Sequence, residues 1–196
     1  EAIEHVKPRQ DKGHKWLNAR YMLEKIASNP KISEDFIWFN DDFFVMRELL
    51  DLFPWYDRTL NERAKDFYGR GLWGGRSRYS YRLEEAATAL KKNNLSTFNY
   101  ELHVPIIFNR KQLRQTMKEF PGTGCIRSLY SNMWEPEHCQ RNDVKIYDIN
   151  AFPNFQIDLL STTDRSFSRG KVGRCIRNYF KEKSIYEKEE NDGRES

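Results

Sequence analysis

Four large apolar residues, Phe36-Ile37-Trp38-Phe39, run directly into three polar ones, Asn40-Asp41-Asp42, with no turn glycine between them. A short run of β-favouring side chains bounded by polar residues predicts a buried strand. Carboxylates at the end of such a strand are costly to bury unless a cation pairs with them. A divalent ion would suit, since Mg²⁺ or Mn²⁺ takes oxygen ligands and keeps room in its shell for a substrate phosphate. Open α/β sheets also bind ligands at the carboxyl ends of their strands. Two other readings of the same residues stay open: exposed turn acids or helix caps, and a nuclease metal site.

The rest of the chain alternates between strand-like and helix-like stretches. Residues 3–6 form a strand candidate. Trp16, Leu17, Met22, Leu23 and Ile26 recur at helical spacing, and Asn29-Pro30 ends that helix. A helix over 81–90 is predicted with Leu83, Ala86, Ala87 and Leu90 on one face, and shorter helices over 111–120 and 172–180. Residues 100–108 read as a strand or extended segment, and 155–160 as a late strand. Gly122, Gly124 and Pro136 predict irregular structure around Tyr130. This alternation predicts an α/β fold. With 196 residues the chain can build one core, assigned to 1–187, followed by a charged, disordered tail over 188–196.

Charged residues make up 32% of the chain, but the 14% aromatic content argues against disorder. The net charge of +4 fits a phosphate-bearing ligand, a nucleic acid or an ordinary surface equally well. Cys125, Cys139 and Cys175 form no CxxC pair, and their odd number fits a reducing, cytoplasmic compartment. His138-Cys139 lacks a second ligand pair at zinc spacing and reads as loop. No apolar run is long enough to span a bilayer and no signal peptide is visible, so no membrane partner is expected.

Three motifs in order carry a resemblance. Asn40-Asp41-Asp42 follows its apolar strand. His103-Val104-Pro105 comes next. Phe180-Lys181-Glu182-Lys183-Ser184-Ile185-Tyr186-Glu187 closes the series, without the proline that usually follows the Phe. In these the chain resembles the Stealth family of sugar-phosphate transferases, and more closely its smaller phage and bacterial relatives. The resemblance implies an A-type glycosyltransferase-like fold with a central mixed sheet, here lacking its N-terminal strands. It implies a nucleotide-diphosphate sugar donor, a divalent metal (Mg²⁺ or Mn²⁺) and transfer of a sugar phosphate to a hydroxyl. Asp41 and Asp42 would be the catalytic metal and diphosphate ligands, oriented by Asn40, with His103 at the reacting phosphate.

Other candidates follow from residue chemistry. His103 could serve as a general base or as a donor to a phosphoryl oxygen; a bonded, purely structural histidine is the alternative. Arg76, Arg78 and Arg82 precede it and could hold phosphate bidentately, Arg82 being favoured because a helix would hold it rigidly. Lys12 and Lys15 could meet the diphosphate as the chain enters its first helix. Arg127, Tyr130 and Asn132 are candidates for an acceptor pocket, with Asp143 and Lys145 weaker ones. Asp164 reads first as turn chemistry and second as a third metal ligand. The acceptor could be a polysaccharide or a modified nucleic acid. Two rivals remain: transfer of the sugar alone, and a non-enzymatic nucleic-acid module using the Arg, Tyr and Trp residues of 70–82.

Overall fold

The computed structural model describes residues 15–40, 42–48, 55–71, 75–135, 139–154 and 158–182. The strand candidate at 3–6, Lys12, Asp41, His138, Ser184 to Glu187 and the tail at 188–196 lie outside the described residues.

The architecture is mixed α/β, in the order α1 (Lys15–Ser28), β1 (Asp35–Trp38), β2 (Phe43–Val45), β3 (Trp55–Tyr56), α2 (Leu60–Lys65), α3 (Arg78–Lys92), β4 (Ile106–Asn109), α4 (Arg110–Glu119), α5 (Ile126–Trp134), β5 (Cys139–Gln140), β6 (Lys145–Ile146), β7 (Leu159–Thr162), α6 (Asp164–Arg169) and α7 (Lys171–Tyr179). Among the described residues no helix is long and apolar enough to cross a membrane.

The expected central sheet is replaced, among the described residues, by three small ones. β1 pairs antiparallel with β4. β7 lies between β2, antiparallel to it, and β6, parallel to it. β3 pairs in parallel with β5. β1 is therefore not the fully buried strand that its apolar run predicts. Phe36 and Trp38 face the core, while Ile37 is 48% exposed and its cross-strand partner Ile107 is 42% exposed. The physical reason is the pairing: a two-stranded antiparallel sheet covered by helices on one side leaves its other face in water.

The main core forms where α2, α3, α4 and α5 meet the inner face of β4. Leu60, Leu83, Leu90, Phe108, Leu113 and Leu129 are fully buried there. The predicted face of α3 holds, with Leu83, Ala86, Ala87 and Leu90 all buried. Side-chain caps start the helices. Thr59 and Glu62 form a capping box on α2, Ser77 caps α3, and Asn109 caps α4.

α5 corrects the irregular structure predicted around Tyr130. The glycines lie before the helix, where Gly122 (φ 72°) and Cys125 (φ 60°) turn the chain through left-handed backbone, and Pro136 lies after it. Between them, Ile126, Leu129, Tyr130 and Met133 recur at helical spacing, and all pack into the core.

Arg20 of α1 locks the far end of α4. It donates to the carbonyls of Met117 (3.1 Å), Phe120 (3.2 Å) and Thr123 (2.8 Å), and to Glu24 (2.9 Å). The guanidinium thus satisfies carbonyls that the helix end leaves free. Replacing Arg20 with Ala should cost roughly 2–4 kcal/mol in urea unfolding, because several buried acceptors lose their donor together. A loss within about 0.5 kcal/mol, as for an ordinary surface position, would contradict this role.

Candidate active site

The segment before β4 is stitched to structure on both sides. Towards α2, the amide of Leu60 donates to the Thr97 carbonyl (2.8 Å), and Asn99 Nδ2 donates to Asp57 Oδ1 (2.8 Å). Towards α5, Asn132 holds both the amide and the carbonyl of Phe98 (3.0 and 2.8 Å), and Ser128 Oγ accepts from the Tyr100 amide (3.0 Å). The Glu101 carboxylate accepts from the Ser128 amide (3.0 Å) at the start of α5, and the Arg127 guanidinium donates to the Val104 carbonyl. Burial pushes the Glu101 carboxyl up, and Arg127 and Ser128 draw it only part of the way back. Arg127 and Asn132 were candidates for an acceptor pocket, but both are buried and bonded to backbone. Tyr130 is likewise internal, accepting from the Asn109 amide and donating to Gln112.

This stitched segment presents His103 at a cavity of about 340 Å³. Asp143 commits both oxygens to His103: Oδ2 lies 2.8 Å from ring Nδ1, and Oδ1 accepts from the backbone amide at 2.9 Å. A carboxylate opposite Nδ1 favours a proton there, so that in the neutral ring Nε2 is the acceptor. Burial pushes the Asp143 carboxyl up. The hydrogen bond from the His103 ring, the His103 charge, the His103 amide and the Arg63 charge more than reverse this and hold it below the ordinary carboxylate value.

Arg63, one turn into α2, lines the same cavity. It donates to Asp66 (3.1 Å), lies 3.9 Å from Asp57 and has its guanidinium 5.4 Å from the Phe67 ring centre. Its Nε is buried without a hydrogen-bond partner among the described residues. Tyr79, Tyr147 and Asn40 complete the polar wall. Burial raises the Tyr79 phenol well above its ordinary value and also raises that of Tyr147, so both are neutral donors. Asn40 is held by Trp38 Nε1, which donates to its Oδ1 (3.1 Å).

A second cavity, of about 540 Å³, is lined by Asp42 and Lys145. Asn40 lines one cavity and Asp42 the other, and Tyr147 and Lys145 divide in the same way. The sequence suggested carboxylates without a matching cation, but Lys145 Nζ lies 2.6 Å from Asp42 Oδ2. The sheet creates this pair: Phe43, next to Asp42, and Lys145 both pair with Ser161 of β7. Asp164 lines this second cavity and is the first residue of α6, directly after its cap Thr163. Among the described residues no three His, Cys, Asp or Glu side chains group as a metal site.

The remaining arginine candidates lie elsewhere. Arg82 places its guanidinium 4.1 Å from the centre of the Trp16 ring and packs against Gly124. Arg76 pairs with Glu84 (2.8 Å), and Arg78 is exposed at the start of α3. None of the three lines either cavity. Lys15 opens α1. Arg63, which sequence reasoning missed, takes the place beside His103. Thr59 followed by Glu62 is the readable signal for the helix that carries it.

A scan against protein-family models finds no match for this chain, and a search of curated proteins finds none either.

Two outcomes follow from the His103–Asp143 geometry. Nitrogen-15 spectra of the neutral imidazole should show the Nδ1–H tautomer in the wild type and a mixture in Asp143→Asn; a dominant Nε2–H form in the wild type would contradict the pairing. Because the Asp143 carboxyl is lowered on folding, its stabilisation is present above the unfolded value of about 3.9 and fades as pH falls through the lower native value. The stability gap between wild type and Asp143→Asn should therefore narrow below about pH 4, and a gap that stays constant would contradict the shift.

Proposed function

We propose that this chain is a transferase moving a sugar phosphate from a nucleotide-diphosphate sugar to an acceptor hydroxyl, on a variant of the A-type nucleotide-sugar scaffold. The observation that carries the reading is the Asp143-held imidazole of His103 sharing one cavity with the Arg63 guanidinium. His103 Nε2 removes the proton from the acceptor hydroxyl. The acceptor oxygen then bonds to the sugar-linked phosphorus, and the bond from that phosphorus to the nucleoside monophosphate oxygen breaks. The monophosphate leaves with the electron pair. Arg63 stabilises charge on the equatorial phosphoryl oxygens, while the neutral phenols of Tyr79 and Tyr147 offer further donors.

A Mg²⁺ or Mn²⁺ ion, when bound, would supply positive charge to the diphosphate. Asp42 fits such an ion in one respect: its Oδ1 is buried without a hydrogen-bond partner among the described residues. The Asp164 carboxylate in the same cavity would offer a further oxygen ligand. A phosphoryl donor of this class and three free cysteines suit a cytoplasmic enzyme.

The leaving group tests the reaction. With donor and acceptor supplied, mass spectrometry of the spent nucleotide should find nucleoside monophosphate. His103→Ala should slow its release by roughly two to four orders of magnitude in protein that remains folded at the assay temperature. Release of nucleoside diphosphate would instead mean transfer of the sugar alone, and full activity in His103→Ala would make the histidine structural.

A further inference from the structure

Lys145 and Asp42 form a largely buried pair, with 14% and 28% of their side chains exposed. One Asp42 oxygen is neutralised at 2.6 Å, while the other is buried with no partner among the described residues. An ionised carboxylate satisfied on one side only still attracts a cation. Lys145 lines the cavity of Asp42 and also lies near a residue of the other cavity. Its ammonium lies 6.0 Å from the centre of the Tyr147 ring, and Tyr147 lines the cavity of His103 and Arg63.

We propose that Lys145 is a resident counter-cation, displaced from Asp42 by the divalent ion and turned towards the diphosphate of the donor. The proposal rests on the metal-assisted reading above and assigns Lys145 a positioning role within it. A divalent ion on Asp42 would sit within a few ångströms of the ammonium, and two cations at that separation in a partly buried site repel strongly. Lysine can answer by moving, because its charge rides on a flexible four-carbon stem. Tyr147, 6.0 Å from the ammonium, lines the cavity of His103 and Arg63, and the displaced lysine would meet the diphosphate on that side. Before the ion binds, the pair keeps Asp42 from being an uncompensated buried charge. Metal and diphosphate then bind cooperatively, since breaking the ion pair serves both.

Full-length wild type, Lys145→Met and Lys145→Arg test this through Mn²⁺ binding, followed by electron paramagnetic resonance of the free ion, and through thermal unfolding. In chelator, Lys145→Met should melt below the wild type, because Asp42 loses its partner. It should bind Mn²⁺ at least roughly tenfold more tightly, and the ion should restore most of the lost melting temperature. Lys145→Arg keeps the pair and should bind Mn²⁺ as the wild type does. Magnesium pyrophosphate, titrated into metal-saturated protein, should bind Lys145→Met roughly tenfold more weakly than wild type. Unchanged or weaker Mn²⁺ binding by Lys145→Met overturns the proposal while leaving the metal site standing. Equal pyrophosphate binding also overturns it. Absence of Mn²⁺ binding in all three proteins overturns the proposal and the metal reading together.

Discussion

The hydrogen bonds that clamp the segment between Thr97 and Val104 are the constraint on which the site depends. This stretch pairs only through the isolated bridge of Phe98 to Thr59, so it needs other partners for its backbone groups. α5 supplies them through Asn132, Ser128 and Arg127, and the entry to α2 supplies more through Asp57 and Leu60. The same clamp sets His103 against Arg63, since one residue lies on the segment and the other on α2. A side chain whose backbone is bonded on both sides needs little rearrangement to meet a ligand, which is what the proposed reaction would require.

Charge is handled differently in the two cavities. Around His103 each ionisable group already has a role-defining partner: Asp143 for the imidazole, Asp57 and Asp66 for Arg63, Ser128 for Glu101. His103 and Arg63 both line that cavity. In the second cavity the Asp42–Lys145 pair leaves one carboxylate oxygen unsatisfied. The first arrangement suits proton transfer beside an anion, and the second suits a cation that can be exchanged.

Local signals in the sequence were legible, and pairings across it were not. The face of α3 is readable because Leu83, Ala86, Ala87 and Leu90 keep helical spacing within one element. Asn40, Asp42 and His103 all line cavities; the first two stand at the end of an apolar run, and His103 was singled out by the His103-Val104-Pro105 motif. β1 was misjudged because apolar composition does not reveal whether a sheet is covered on one face or two. Arg127 and Asn132 are buried and bonded to backbone, an arrangement that looks the same in sequence as a residue facing a ligand. The partners of His103 and Asp42 lie 40 and 103 residues away, and only strand register and loop packing bring them together.

In the proposed reaction the donor diphosphate would meet Arg63 and His103, and not the basic stretch at 76–82. Nitrogen-15 spectra resolving the arginine Nε–H signals, recorded while a nucleotide-diphosphate sugar is titrated with Mg²⁺, test it directly. The account predicts that the Arg63 Nε–H signal and the His103 ring signals shift together and saturate at one concentration, with Arg76, Arg78 and Arg82 unmoved. Shifts confined to Arg76, Arg78 and Arg82, with Arg63 and His103 unchanged, would contradict it.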